Sequence, residues 1–235
     1  MKVVLFDIDG TLLWTDGAGR RAVNQALMEV FGSPVPDGHE FDGKTDPQIV
    51  RELMERVGLT PDVIDARLDT ALARYVDLLH AELAAHDHMG KTYPGIAALL
   101  DALEARNDML LGLLTGNVRA GASAKLKAVG IARERFRIGA FGSDHASRAE
   151  LPSIARRRAE AFLGHTVAGA DVVVIGDTPA DMHCGRGIGA RAIGVATGRY
   201  SVGDLEACNA GIVFADLSDT AEVIRAIAGD QACSK

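Results

Sequence analysis

The chain has 235 residues and a formal net charge of -7. That length allows one large domain or two modest ones, with a core that needs no metal or disulfide staples, and the acidity argues against a surface built to bind nucleic acid. Cys184, Cys208 and Cys233 are odd in number and widely spaced, so neither a disulfide framework nor a zinc cluster is suggested, and a cytoplasmic, reducing setting fits best. No apolar stretch approaches the roughly 20 residues that span a bilayer, and no basic, apolar leader precedes the first strand, so secretion and membrane insertion are not expected.

The first element is a strand over Val3-Val4-Leu5-Phe6, apolar and β-branched enough to be buried, which ends abruptly on Asp7-Ile8-Asp9-Gly10-Thr11. Two carboxylates so close repel unless a cation lies between them or one holds a proton; the competing reading is a solvated Asp-Gly turn. Helical patterns then follow. Gly19 to Phe31 carries Ala22, Val23, Ala26, Leu27 and Val30 at helical spacing, with Gly32 as terminator. Asp46-Pro47 reads as an N-cap and first-turn proline, followed by an Ile49, Val50, Leu53, Met54, Val57 stripe, and Thr60-Pro61 repeats the start signal ahead of Leu68, Leu72, Tyr75, Val76, Leu79 and Leu83. The segment from His86 to Gly90 reads as loop, and its His-x-His pair has no ligand partners at metal spacing. An all-helical block thus runs from about residue 15 to about residue 91.

Beyond Tyr93-Pro94-Gly95 the pattern becomes alternating. A helix through Ile96, Leu99, Leu100 and Leu103 leads to a strand over Met109 to Leu114 that ends on Thr115-Gly116-Asn117. Another strand, Val172 to Ile175, ends on Gly176-Asp177-Thr178-Pro179-Ala180-Asp181. Further strands are expected over 137–141, 192–196 and 211–214, and helices over 118–129, 152–163, 179–189 and 218–228. The fold class is therefore α/β: a Rossmann-like parallel sheet with helices on both faces and an inserted all-helical domain, the core being 1–14 and 92–235 and the insertion 15–91. If the strands are parallel neighbours, the three polar ends converge on one crevice at the sheet's C-terminal edge. Taken alone, Thr-Gly-Asn would be an ordinary N-cap. Arg156-Arg157-Arg158 reads as a solvated helix face.

These three segments, with Ala192-Ile193-Gly194-Val195-Ala196-Thr197-Gly198, resemble motifs one, two and four of the haloacid dehalogenase superfamily, and most closely its phosphoglycolate-phosphatase-like branch. The resemblance implies a phosphoric monoester hydrolase that acts on a small phosphorylated metabolite through an aspartyl-phosphate. Asp7 would be the nucleophile and Asp9 the acid and base, Asp9 carrying a proton when substrate binds. Magnesium would be held by Asp7, the backbone carbonyl of Asp9 and Asp177, with Asp181 reaching it through water; a plain first-turn helix carboxylate is the other reading of Asp181. Thr115, with the backbone N–H groups of Gly116 and Asn117, would bind the phosphoryl group.

The lysine usual between motifs two and four is missing from Ser147-Arg148-Ala149-Glu150-Leu151-Pro152, so Arg148, and after it Arg156, becomes the candidate for the missing cation. In the insertion, the loop Gly43-Lys44-Thr45-Asp46 would face the leaving group, Lys44 pairing with a second anionic group; an exposed lysine is the alternative. The insertion resembles a helical cap of the first class, hinged near Leu13 to Asp16 and Lys91 to Pro94, where Trp14 would pack cap against core. The alternatives are a phosphomutase of the β-phosphoglucomutase type and a catalytically weak binding or regulatory protein on the same fold. A dehalogenase would lack the aspartate at position 9. The sequence leaves monomer and homodimer both open.

Overall fold

The computed structural model describes residues 1–36, 38–85, 90–208 and 211–229; the His86/His88 pair and Cys233 lie outside them. In chain order the elements are β1 (Lys2–Phe6), β2 (Leu13–Trp14), α1 (Ala18–Phe31), α2 (Asp46–Arg56), α3 (Pro61–Ala85), β3 (Lys91–Thr92), α4 (Ile96–Glu104), β4 (Met109–Thr115) and α5 (Arg119–Ala128). There follow β5 (Ile138–Phe141), α6 (Leu151–Leu163), β6 (Val172–Gly176), α7 (Pro179–Cys184), β7 (Arg191–Val195), α8 (Val202–Glu206), β8 (Ile212–Phe214) and α9 (Thr220–Ala228).

Six strands form one sheet in the order β5-β4-β1-β6-β7-β8, and every pairing in it is parallel. Alternate residues of the central strands face opposite layers, as the period of two requires. Val4, Phe6, Leu111, Leu113, Val173 and Ile175 pack with α4, α5 and α9. Val3, Leu5, Leu110, Leu114, Val172 and Val174 pack with α6 and Cys184. This is a Rossmann-like α/β fold with helices on both faces. Because Phe6 is level with both Leu113 and Ile175, the chain leaves the sheet at nearly one height at Asp7, Thr115 and Asp177.

The helices between β2 and β3 build a separate core of Val23, Leu27, Val50, Leu53, Ile64, Tyr75 and Leu79, joined by Val118, just ahead of α5, and by Ala124 of α5. The two chain crossings into and out of this block lie side by side, Leu13 opposite Thr92 and Trp14 opposite Lys91, as an antiparallel ribbon.

Some local expectations hold and others are corrected. Thr45, not Asp46, is the N-cap of α2, its side chain accepting from the Gln48 N–H; a hydroxyl in extended backbone reaches that N–H, whereas Asp46 already lies in the helix. α5 spans Arg119–Ala128 with Val118 as its N-cap, close to the expected 118–129. The helix expected over 179–189 stops at Cys184 and continues as a 3-10 turn over Arg186–Ile188, in a stretch interrupted by Gly185, Gly187 and Gly189. α8 was not expected; a Ser201–Asp204 capping box starts it. Trp14, at the crossing between the two parts, is 39% exposed, with the Lys91 ammonium 5.2 Å from its ring centre.

Candidate active site

At the end of β1 the Asp7 N–H continues the ladder to the Ile175 carbonyl at 2.9 Å, which fixes the Asp7 side chain over the sheet edge. The chain then reverses, with the Leu12 and Leu13 N–H groups both donating to the Ile8 carbonyl. Gly10 makes the reversal possible: its φ is +83°, and a methyl group there would stand 2.1 Å from Asp177 Oδ2. On the other side of the same oxygen, a methyl on Gly198 would stand 1.8 Å away. The Asp177 carboxylate is thus cradled between two glycines, and its Oδ1 accepts from the Thr11 hydroxyl at 3.1 Å.

Asp181 is fully buried. Its Oδ2 accepts from the Thr178 N–H at 3.1 Å and from the Thr178 hydroxyl at 2.6 Å, closing a capping box at the start of α7. Its Oδ1 accepts from Arg148. Arg148, at the 3-10 turn preceding α6, is itself 7% exposed and sets the same Nη2 3.1 Å from Asp7 Oδ1. Its Nε is buried without a partner among the described residues. Arg156, the second candidate for this cation, instead pairs along α6 with Glu160 at 3.6 Å, away from the carboxylates, because helical spacing turns it to the other side.

Asp7, Asp177 and Asp181 offer oxygens that all lie within 4.8 Å of one another. Burial raises Asp7 to about 6, Arg148 pulling against it and Asp181 and Asp9 adding to it. Burial, then Asp181 and Asp7, likewise hold Asp177 well above the usual carboxylate range. One guanidinium against three buried carboxylates leaves a local negative excess, and an all-oxygen donor set suits a hard divalent cation. Within the cluster the two Asp181 oxygens are already engaged, so Asp7 and Asp177 are the carboxylates open to such an ion. The Asp9 carboxylate points elsewhere, leaving only its backbone carbonyl for a metal.

Thr115 is fully buried. Its Oγ1 accepts from the Asn117 N–H at 3.3 Å and from Asn117 Nδ2 at 2.8 Å, neither of which uses the hydroxyl proton. The expected pair of free N–H groups at 116 and 117 is not formed, since that of Asn117 is turned to Thr115. The Gly116 carbonyl accepts from the Asp46 N–H at 2.8 Å, and a methyl on Gly116 would stand 1.9 Å from the Lys44 carbonyl. The loop at 43–46 is therefore seated on the motif-two turn.

Three residues of that loop depart from expectation. The Thr45 hydroxyl donates to the Ala146 carbonyl at 2.5 Å, so it fastens the loop and does not face a substrate. The Lys44 ammonium pairs with Glu52 at 2.5 Å, which takes up the charge expected to meet a second anion. Asp46, raised to about 6 by burial against the opposing pull of Lys125, accepts the Val118 N–H at 2.7 Å.

The resulting cavity holds about 240 Å³ and is lined from the sheet by Asp7, Thr115 and Asp177, and from the helical block by Arg20, Phe41 and Lys44. Arg20 stacks its guanidinium 3.8 Å above the Phe41 ring and donates to the His39 carbonyl at 3.0 Å; among the described residues it has no carboxylate partner. Sequence reasoning also missed Lys125, 5% exposed, whose ammonium meets Asp9 Oδ2 at 2.7 Å. A signal existed: Lys125 falls between Ala122 and Leu126 on the buried side of α5, where a solvated lysine has no place.

A parallel sheet with acidic loops at its C-terminal edge and an inserted helical block defines a hydrolase architecture of the haloacid dehalogenase type. The haloacid dehalogenase-like hydrolase profile matches residues 4–186, and the chain belongs to that family. It is 29% identical over 223 residues to a phosphoglycolate phosphatase of Rhodospirillum rubrum, covering 92% of this chain and 88% of that protein. A hydrolase from Pseudomonas syringae shares the fold with a TM-score of 0.71 at 21% identity, over 97% of this chain and 99% of that one. A predicted phosphoglycolate phosphatase from Haemophilus somnus does so at 0.68 and 19% identity, over 95% and 98%.

Two outcomes follow for a cation at this site. The Gly198 backbone accepts a side chain, but the added methyl meets Asp177, so Gly198→Ala should weaken divalent-cation binding by about 10-fold or more in titration calorimetry; unchanged affinity would remove Asp177 from the ligand set. Asp7 ionises near 3.8 in the unfolded chain and about 6 in the fold, so its contribution to the stability of the metal-free fold is present at low pH and lost as pH rises through about 6. A bound cation favours the ionised form. The gain in Tm on adding saturating magnesium should be larger at pH 7 than at pH 5, and an equal gain at both would mean that no proton is displaced.

Proposed function

We propose that this hydrolase is a magnesium-dependent phosphatase of small anionic phosphate monoesters, phosphoglycolate being the nearest model, working through an aspartyl-phosphate in the cytoplasm. The observation that carries the reading is the single cavity in which Asp7, flanked by Arg148, lies with Asp9, Thr115 and Asp177. Asp7 and Asp177 would hold the cation, which would supply charge neutralisation at the phosphoryl oxygens and favour the ionised form of Asp7. Arg148 holds the Asp7 carboxylate and neutralises one flank of it. The Thr115 hydroxyl, its proton unspent, donates to a phosphoryl oxygen. Asp7 attacks phosphorus while Asp9 gives a proton to the leaving oxygen; Asp9 then takes a proton from the water that cleaves the aspartyl-phosphate.

Residues 1–14 and 92–235 form the catalytic core in this reading, and 15–91 a cap that hinges at the β2–β3 ribbon and excludes water when its loop is seated on Gly116. Arg20 takes over the role first given to Lys44, because its charge is unpaired among the described residues and lines the cavity, whereas that of Lys44 is bound to Glu52.

Magnesium-dependent phosphate release from p-nitrophenyl phosphate tests the reading, and Asp7→Asn should abolish it. No release from any panel of phosphate esters, or isomerisation of a hexose 1-phosphate without net release, would overturn it. Arg20→Ala should raise KM for phosphoglycolate by about 5-fold, the scale of one partly exposed ion pair, with a smaller effect on p-nitrophenyl phosphate, whose leaving group carries no second anion.

A further inference from the structure

The reaction above leaves the buried Lys125 without a task. Its Nζ donates to Asp9 Oδ2 at 2.7 Å and to Asn117 Oδ1 at 2.7 Å. Asn117 Nδ2 donates to the same Asp9 oxygen at 2.8 Å, so the three side chains close a ring in which Asp9 Oδ2 receives two donors. An oxygen so engaged has no place for a proton of its own, because an O–H there would face N–H groups. Asp9 Oδ1 has no donor among the described residues and is the oxygen left to carry one. We propose that Lys125 is a positioning residue that pins Asp9 Oδ2 together with Asn117 and so presents Oδ1 to the leaving oxygen and to the hydrolytic water.

The inserted helices complete this arrangement. A methyl on Gly19 of α1 would lie 3.2 Å from Lys125 Nζ and 3.9 Å from the hydroxyl oxygen of Tyr75 in α3. Asp46 of α2 is close enough to Lys125 to be pulled by its charge. The ammonium is therefore roofed by three helices of the block, while its stem belongs to α5. Seating the block covers the ammonium, which is 6% exposed, while the Asp9 side chain stays open to the cavity at 44%, so the donor that pins Asp9 is held in place when the block is seated and less firmly when it lifts.

The inference rests on the phosphatase reading and divides its two steps. In the first, the Asp7 oxygen bonds to phosphorus, the ester P–O bond breaks and the Asp9 Oδ1 proton passes to the leaving oxygen. In the second, water oxygen bonds to phosphorus, its proton passes to Oδ1, and the bond to Asp7 breaks to release phosphate. A p-nitrophenolate leaves without protonation, whereas an alkoxide does not.

Rapid mixing of folded Lys125→Met with the two kinds of ester tests this. With p-nitrophenyl phosphate we expect a burst of p-nitrophenolate, one per active site and within about 3-fold of the wild-type rate, followed by turnover slowed about 100-fold, the scale of a lost proton transfer. With an alkyl phosphate the single-turnover cleavage itself should slow by about 100-fold, KM changing little. Equal slowing of cleavage for both esters, a change confined to KM, or wild-type kinetics on both would overturn the assignment. If Lys125→Met does not fold, Gly19→Ala decides: it favours helix α1 while crowding Nζ, and should give the same split at about 5-fold, wild-type behaviour on both esters being the contrary result. A wild-type enzyme that cleaves no ester overturns the phosphatase reading itself; an active one whose variants give no split overturns only the role of Lys125.

Discussion

Three buried carboxylates held within a few ångströms of one another are the constraint on which this structure turns. Like charges in a dry site repel far more than in water, so such a cluster persists only where cations or hydrogen-bond donors compensate it. Here the compensation is shared. Arg148 spans Asp7 and Asp181, the Thr178 capping box satisfies the rest of Asp181, and Thr11 takes one oxygen of Asp177. What is left least compensated is the pair Asp7 and Asp177, where burial pushes both carboxyl groups above the usual carboxylate range and where a divalent cation has most to gain.

The same economy extends to the second aspartate of the opening motif. Asp9 lies two residues from Asp7 yet is drawn out of the acidic cluster by Lys125 and Asn117. The two carboxylates thus acquire separate electrostatic surroundings, a guanidinium for one and an ammonium for the other. Separation of that kind allows neighbouring carboxylates to play different chemical parts. The helical block adds a further layer: Thr45 and Asp46 fasten its loop to Ala146, Gly116 and Val118, and in that position it covers Lys125.

Much of the architecture was legible from periodicity. The strands at β1, β4 and β6 are short apolar runs that change character within one residue, and the order of helices from Ala18 to Ala85 follows stripes at helical spacing with glycine and proline punctuation. Errors fell where two local signals compete. Thr45 and Asp46 are both good N-caps, and only the docking of Asp46 on Val118 decides between them. The break after Cys184 depends on the close approach of Gly185 to Ala190 and on the left-handed backbone of Gly189, and the stripe rule does not see it.

The sequence by itself determined that Asp7, Asp9, Thr115 and Asp177 would stand at strand ends, because strand, turn and helix start are set by neighbours a few residues away and a parallel sheet brings such ends to one edge. Tertiary structure alone decided which cation meets which carboxylate. Lys125 and Asp9 are 116 residues apart and Arg148 and Asp181 are 33 apart, and a salt bridge depends on distance in space and on exclusion of water, neither of which is written in local spacing. For the same reason the pairing of Lys44 is not written in its neighbours: Glu52, eight residues on, comes within reach only once loop and helix have folded against each other.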